Sequence, residues 1–195
     1  MTASITRSLP RADLRRWWLA LWLLLASLHA QAQGIHIRSA ELELRQDEYH
    51  LAATFDVQLT PILEEALNKG VALFFSVDFE LIQPRWWTLY LWNRQVAGFV
   101  QEHRLSYNAL TRQYRLSYGG LHQSFDTLDE ALSVLGRVRR PRVFGVDDLA
   151  PDRVYEAQIR MRLDTTQLPK PFQIDALASR DWTLASGWYR WTVTR

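Results

Sequence analysis

Residues 71–81, VALFFSVDFEL, contain the alternation that decides the fold. From Val71 onward every second residue is apolar, whereas Ser76, Asp78 and Glu80 lie between the apolar ones. Successive side chains of a β-strand point to opposite faces of its sheet. The pattern therefore predicts a strand with one buried face and one polar face.

The same alternation recurs along the chain. It is strong in residues 49–59 and 155–163, and weaker strands are predicted over residues 35–44, 99–107, 113–118, 173–178 and 188–193. A change of phase near Ser39 and Ala40 predicts a bulge in the first of these strands. About eight short strands linked mostly by tight turns predict a mainly β protein, an antiparallel two-layer β-sandwich.

Two short helices are predicted between the strands. Thr60 followed by Pro61 marks the start of the first, and Gly70 is expected as its left-handed C-terminal residue. Thr127 and Glu130 have the spacing of a capping box, and an apolar stripe follows until Gly136. Residues 86–97 show no clear periodicity, so they are interpreted as a loop or a short helix.

The N-terminus has the three zones of a secretory signal peptide. A basic start with Arg15 and Arg16 precedes the apolar run Trp17–Leu28, which Ala30-Gln31-Ala32 follows. A membrane anchor needs about 20 apolar residues, more than this run provides. We therefore expect cleavage between Ala32 and Gln33, a signal peptide over residues 1–32, a single β-sandwich domain over residues 33–195, and no transmembrane anchor after cleavage.

Composition excludes several classes of function. Four of the 23 basic residues but only one of the 21 acidic residues precede Gln33, which leaves 19 basic and 20 acidic residues in the exported chain. A nearly neutral domain has no overall field to attract nucleic acid, so no nucleic-acid partner is expected. The chain contains no Cys, which rules out disulfides and thiolate metal sites.

The sequence predicts no catalytic, cofactor-binding or metal-binding residues, and no cofactor. No second His residue lies at the metal-ligand spacing of an HExxH motif along the sequence from His36, His50, His103 or His122. Alternation would place His122, Ser124 and Asp126 on one face, and these are the only local candidates for a hydrolase. Ser and Asp are also simply favoured where a strand runs into a capped helix.

Two segments are candidates for an interaction surface. The basic segment contains Arg137, Arg139, Arg140 and Arg142. It could contact an anion or a lipid headgroup, because the planar guanidinium group of arginine matches the geometry of a phosphate. The aromatic segment contains Trp86, Trp87 and Trp92, and large exposed aromatic side chains are typical of binding surfaces. The alternatives are a solvated face for the arginines, paired in part with the acidic loop at Asp147, Asp148 and Asp152, and core packing for the tryptophans.

Several segments together carry a family resemblance. They are Pro84-Arg85-Trp86-Trp87, Arg104-Leu105-Ser106-Tyr107-Asn108-Ala109-Leu110-Thr111-Arg112-Gln113-Tyr114, Ser124-Phe125-Asp126-Thr127-Leu128, and Met161-Arg162-Leu163-Asp164 through Leu168-Pro169-Lys170-Pro171-Phe172. The chain resembles an exported proteobacterial family of unknown function, some of whose members are labelled proline-rich signal peptide proteins. The resemblance implies a Gram-negative envelope setting, hence the periplasm, and genes often beside a nitrogen-regulation-type sensor kinase. It implies no activity or catalytic residues.

We therefore expect a periplasmic, non-enzymatic binding or accessory module with an envelope protein partner, the sensor kinase being suggested by association only. One alternative is a periplasmic hydrolase whose site is assembled from residues distant in sequence. Another is a carrier of a small ligand or lipid between the two sheets.

Overall fold

The strand predicted over residues 71–81 lies within a six-stranded antiparallel sheet in the computed structural model, which describes residues 34–84 and 94–194. These residues belong to one compact unit spanning Gln33–Arg195. The strands are β1 Ile35–Arg45, β2 Glu48–Val57, β3 Leu73–Gln83, β4 Arg94–Asn108, β5 Gln113–Tyr118, β6 Leu121–Phe125, β7 Arg137–Gly145, β8 Val154–Leu163 and β9 Tyr189–Thr194. The helices are α1 Pro61–Asn68, α2 Leu128–Leu135 and α3 Lys170–Ala178, with 3₁₀ turns at Val146–Asp148, Thr165–Gln167 and Arg180–Trp182.

The strands form two antiparallel sheets. The larger has the order β6-β5-β4-β3-β8-β9, and the smaller has the order β1-β2-β7. This arrangement confirms the predicted mainly β, two-layer antiparallel sandwich. The predicted bulge in β1 is also present, because the pairing of β1 with β2 shifts between Ile37 and Ser39.

Side chains on the facing sides of the two sheets form the core. Phe79 of β3 is paired with Phe99 of β4 and with Ile159 of β8. Across the sandwich, Leu51 and Phe55 of β2 are buried. Each large apolar side chain removed from water contributes about 2 kcal/mol, and this burial holds the two sheets together. The alternation in β2 and β3 therefore determines which side of each strand faces the core.

Helix α1 begins and ends where the sequence predicts. The side chain of Thr60 accepts a hydrogen bond from the backbone N–H of Leu63 at 3.3 Å. Gly70 has a φ of +92°, the left-handed conformation that glycine adopts without strain. Leu63 and Leu67 are both buried, so the helix is anchored on the core through one face.

Helix α2 also has its predicted cap, because Thr127 accepts a hydrogen bond from the N–H of Glu130 at 3.3 Å. Gly136 ends the helix with an ordinary φ of −70°. A Cβ atom at Gly136 would lie 2.3 Å from the carbonyl oxygen of Phe55. Glycine is required here because the helix end passes directly against β2.

The prediction of a strand over residues 173–178 is wrong. These residues belong to α3, a third helix in addition to the two that the sequence predicts. The carbonyl oxygen of Pro169 accepts hydrogen bonds from the N–H groups of Phe172 and Gln173. Phe172 and Ala176, four residues apart, pack against the core. Residues four apart lie on the same side of a helix, which explains this contact. In the sequence, the apolar residues of this segment instead resembled the every-second-residue pattern of a strand.

Two further segments differ from expectation. Residues 137–145 form β7, although only a basic segment was recognised there. Arg94–Ala97, at the end of the segment interpreted as a loop or short helix, begins β4 and pairs with β3. Both segments become strands because they pair with a neighbouring strand, β2 for β7 and β3 for Arg94–Ala97. The local sequence does not reveal this pairing.

Candidate functional site

A bulge in β7 determines where the four arginines lie. Arg137 is paired with Thr54, Arg139 with Ala52, and Arg140 with Leu51, after which the register shifts. Leu51 faces the core, so Arg140 lies on the inner face of the smaller sheet. Arg142 follows with a φ of +51°.

The structure therefore divides the basic segment between two faces. Arg137 and Arg139 are on the outer face of the smaller sheet, where Arg137 donates a hydrogen bond to the side-chain oxygen of Ser133 at 3.0 Å. Arg142 forms an ion pair with Glu48 at 3.0 Å. Arg140 alone points into the space between the sheets.

The acidic loop after β7 has contacts other than the arginines. The Asp148 carboxylate accepts a hydrogen bond from the backbone N–H of Gly145 at 2.8 Å. The carboxylate thus fixes the 3₁₀ turn at Val146–Asp148 on the end of β7.

Trp86, Trp87 and Trp92 of the aromatic segment lie outside the described residues. The tryptophans that are described contribute to packing. Trp182 is buried, and Trp191 lies against Phe79 with ring centroids 6.3 Å apart.

Arg140 lines an open groove at one side of the sandwich, which we call the β4–β7 groove. Its volume is about 620 Å³. It is lined by Phe74, Val100, Gln101, Glu102, His103, Arg104, Ser117, Tyr118, Gly119 and Arg140. Gln101 and His103 of β4 and Arg140 of β7 thus face the same space from different sheets, whereas Val100, Glu102 and Arg104 alternate with them along β4.

The floor of the β4–β7 groove is polar, although it lies on the inner face of β4. Gln101 is 5% exposed and His103 is 7% exposed. Nε2 of Gln101 and Nε2 of His103 lie 2.9 Å apart and share a hydrogen bond. Oε1 of Gln101 and Nδ1 of His103 are buried without a hydrogen-bond partner among the residues that the structure describes.

This pair leaves one donor and one acceptor open, whichever way it is arranged. If the Gln101 amide donates to Nε2 of His103, its oxygen remains as an acceptor and Nδ1–H remains as a donor. If the amide is reversed, its NH₂ group remains as a donor and Nδ1 as an acceptor. Leaving a buried polar atom unpaired costs about 1–3 kcal/mol. The groove floor therefore favours a group that both donates and accepts.

His103 is neutral at physiological pH. Burial disfavours its charged form and lowers its pKa to about 4. Tyr118 stacks on the imidazole with ring centroids 5.0 Å apart, and so covers one face of the ring.

Arg140 supplies positive charge at the same groove. Its guanidinium lies 4.4 Å from the centroid of the Phe99 ring, and it forms no ion pair with any described residue. Stacking on an aromatic ring leaves the N–H groups at the guanidinium edge available. The arrangement can therefore hold an anionic group beside a hydrogen-bonding group.

The residues proposed for a hydrolase do not form a linked site. His122, Ser124 and Asp126 are all exposed, and no hydrogen bond joins any two of the three. The Asp126 carboxylate instead accepts a hydrogen bond from the Gln113 amide at 3.0 Å. In the described ranges, no group of three or more His, Asp or Glu residues is arranged to hold a metal ion.

A second polar cluster, on the outer face of the larger sheet, is centred on Asp78. Burial opposes ionisation of Asp78, but hydrogen bonds from Ser76, Arg160 and Arg162 outweigh it and lower the pKa of the carboxylate. The distances to the two arginines are 2.8 and 3.1 Å. The cluster ties β3 to β8, and each oxygen of the Asp78 carboxylate already accepts a hydrogen bond.

Sequence reasoning missed the importance of Gln101 and His103, although the signal was present. In the predicted strand over residues 99–107, Phe99, Gln101, His103 and Leu105 share one face. Two polar residues between two apolar ones on a core-facing side are unusual, because buried polar groups require partners.

A comparison with protein families decides the affiliation. Residues 32–192 match the family described as Domain of unknown function (DUF4390). The chain belongs to this family. The predicted resemblance to a family of unknown function is thus confirmed, and every residue lining the β4–β7 groove lies within the part that matches the DUF4390 family.

No curated protein and no solved structure matches the chain. None of the helices in the described ranges combines the length and apolarity needed to cross a membrane.

Proposed function

We propose that this DUF4390 protein is exported to the periplasm and acts there as a non-enzymatic binding module for an envelope protein. The β4–β7 groove is its contact site, and an acidic residue of the partner binds Arg140. The signal-peptide pattern of residues 1–32 supports export.

One observation carries the proposal. The Arg140 guanidinium, which has no carboxylate partner among the described residues, lies at the same groove as the unpaired Oε1 of Gln101 and Nδ1 of His103. The two buried polar atoms are costly to leave without hydrogen-bond partners, and the partly buried guanidinium beside them lacks a counter-charge. A ligand that neutralises the first and hydrogen-bonds the others recovers that cost.

The chemistry of the groove favours binding over catalysis. His103 has a pKa of about 4, too low for an efficient general base near neutral pH. Its Nε2 contacts the Gln101 amide, whereas a histidine that activates a nucleophile has a hydroxyl or thiol at that distance.

The nature of the partner follows from charge. A guanidinium stacked on an aromatic ring binds a carboxylate strongly because both of its edge N–H groups remain available. The family resemblance adds an envelope sensor kinase as a candidate partner, by association alone. An acidic side chain on an exposed loop of such a protein would fit the open groove.

Crosslinking in cells followed by co-purification tests the binding proposal. We expect wild type to recover one defined envelope protein, and Arg140→Gln to recover at least tenfold less of it. Arg115→Gln is the matched control, because Arg115 is exposed on the outer face of the larger sheet. Equal recovery by the two variants, or no recovered envelope protein with wild type, would contradict the proposal.

Export has its own test. Mass spectrometry of the periplasmic fraction should find the mature N-terminus at Gln33. An intact N-terminus in the membrane fraction would refute cleavage while leaving the groove proposal to the crosslinking experiment.

A further inference from the structure

The outer face of the smaller sheet carries two opposite charges separated by a small residue. Glu41 of β1, Ala52 of β2 and Arg139 of β7 are in register across the three strands. Neighbouring strands are about 4.8 Å apart, so the backbones at Glu41 and Arg139 are roughly 10 Å apart. Ala52 leaves the space between the two charges open.

Most other charges on this face are already paired. Arg38 pairs with Asp56 at 2.7 Å, Arg45 with Glu43, and Arg142 with Glu48. Glu41 and Arg139 are exposed, and neither has an ion-pair partner within residues 34–84 and 94–194. The central row of the face therefore presents one acidic and one basic group to an outside partner.

We infer that this face binds a second copy of the chain around a two-fold axis. The axis runs parallel to β2 and passes above Ala52. Such an axis places β1 of one copy over β7 of the other, so Glu41 faces Arg139 of the second copy twice. The interface is thus isologous and self-complementary.

The charge pattern selects this axis over the alternative. A two-fold axis in the same plane but perpendicular to β2 would place β1 over β1. Glu41 would then face Glu41, and Arg139 would face Arg139. Like charges directly opposed across an interface are destabilising.

The size of the face sets the expected affinity. Three strands of about ten residues, at about 4.8 Å between strands and 3.3 Å per residue, give a total buried area on the order of 1,000 Å². Interfaces of this size are at the lower end of specific association. We expect a reversible dimer, weakened by salt because its specific contacts are ionic. The inference is independent of the β4–β7 groove, which opens on the opposite face of β7.

Sedimentation velocity of the purified protein over a range of concentrations tests the inference. Wild type should show a concentration-dependent dimer at low ionic strength. Glu41→Arg and Arg139→Glu should each weaken dimerisation at least tenfold, because each places like charges opposite one another. The double variant should recover dimerisation to within about threefold of wild type. Both positions are exposed, and circular dichroism verifies folding.

Arg115→Glu is the control for a change of net charge and should leave dimerisation unchanged. A monomer at every concentration, or a double variant no better than the single ones, would overturn the inference. Equal weakening by Arg115→Glu would also overturn it, since the effect would then be one of overall charge.

Discussion

The guanidinium of Arg140 lies 4.4 Å from the centroid of the Phe99 ring, so a side chain of the smaller sheet caps an aromatic residue of the larger one. The adjacent Arg139 is on the opposite face of the same strand. Of the four arginines in the basic segment, only Arg140 contributes its charge to the groove. Counting charges along the sequence does not show which of the four it is.

Replacing Arg140 should affect binding much more than stability. A cation–π contact at a partly exposed site contributes about 1 kcal/mol. We expect Arg140→Gln to lower the free energy of unfolding by about 1 kcal/mol or less, as measured by urea denaturation. A loss of several kcal/mol would show that Arg140 is primarily a structural residue.

His103 should make stability depend on pH. Its native pKa is about 4, against an ordinary value of 6.5, so the unfolded chain binds a proton at higher pH than the folded one. This contribution to stability is complete above pH 6.5 and is lost as the pH falls toward 4. Between pH 7.5 and 4.5 the loss amounts to roughly 2–3 kcal/mol.

Urea denaturation of wild type and His103→Gln at both pH values isolates this contribution. The pH-dependent loss should be roughly 2–3 kcal/mol smaller in the variant. His122→Gln is the control, because His122 is exposed. An NMR titration of the His103 ring in wild type gives a second readout, and a pKa near 6.5 would refute the buried neutral imidazole.

Asp78→Asn should destabilise the larger sheet. The substitution removes the negative charge that Arg160 and Arg162 share and leaves both guanidinium groups without it. Both arginines are about one-third exposed, so solvent screens part of the loss, and we expect about 2 kcal/mol. Asp152→Asn, at an exposed loop position, should change stability by less than about 0.5 kcal/mol. Equal losses of stability in the two variants would mean that the ion pairs of Asp78 do not stabilise the sheet.

Gly136→Ala tests the contact between α2 and β2. The added Cβ would meet the carbonyl oxygen of Phe55 at 2.3 Å, and one of the two backbones must move. We expect a loss of about 2 kcal/mol or more in thermal or urea unfolding. Gly120→Ala should have little effect, since a Cβ there meets nothing within 4 Å. A neutral Gly136→Ala would show that the helix end shifts freely.

The fold was predictable wherever a local sequence pattern shows which side of a strand is buried or where a helix begins. The alternation of residues 71–81 fixes the inner side of β3, and Thr60 and Thr127 mark the helix starts through local hydrogen bonds. β7 was not predictable because its bulge, and hence the direction of Arg140, depends on pairing with β2. The proximity of Arg140 to Phe99 likewise arises from packing of two sheets whose residues are distant in sequence.

Site-specific photo-crosslinking in cells tests the central claim most directly. The crosslinker replaces Leu121, which is 76% exposed and paired with Tyr118, or Leu110, which is 96% exposed in the turn between β4 and β5. We predict that position 121 crosslinks to one envelope protein, that position 110 does not, and that Arg140→Gln abolishes the crosslink. Equal crosslinking from both positions, or a crosslink from position 121 that survives Arg140→Gln, would contradict binding at the β4–β7 groove.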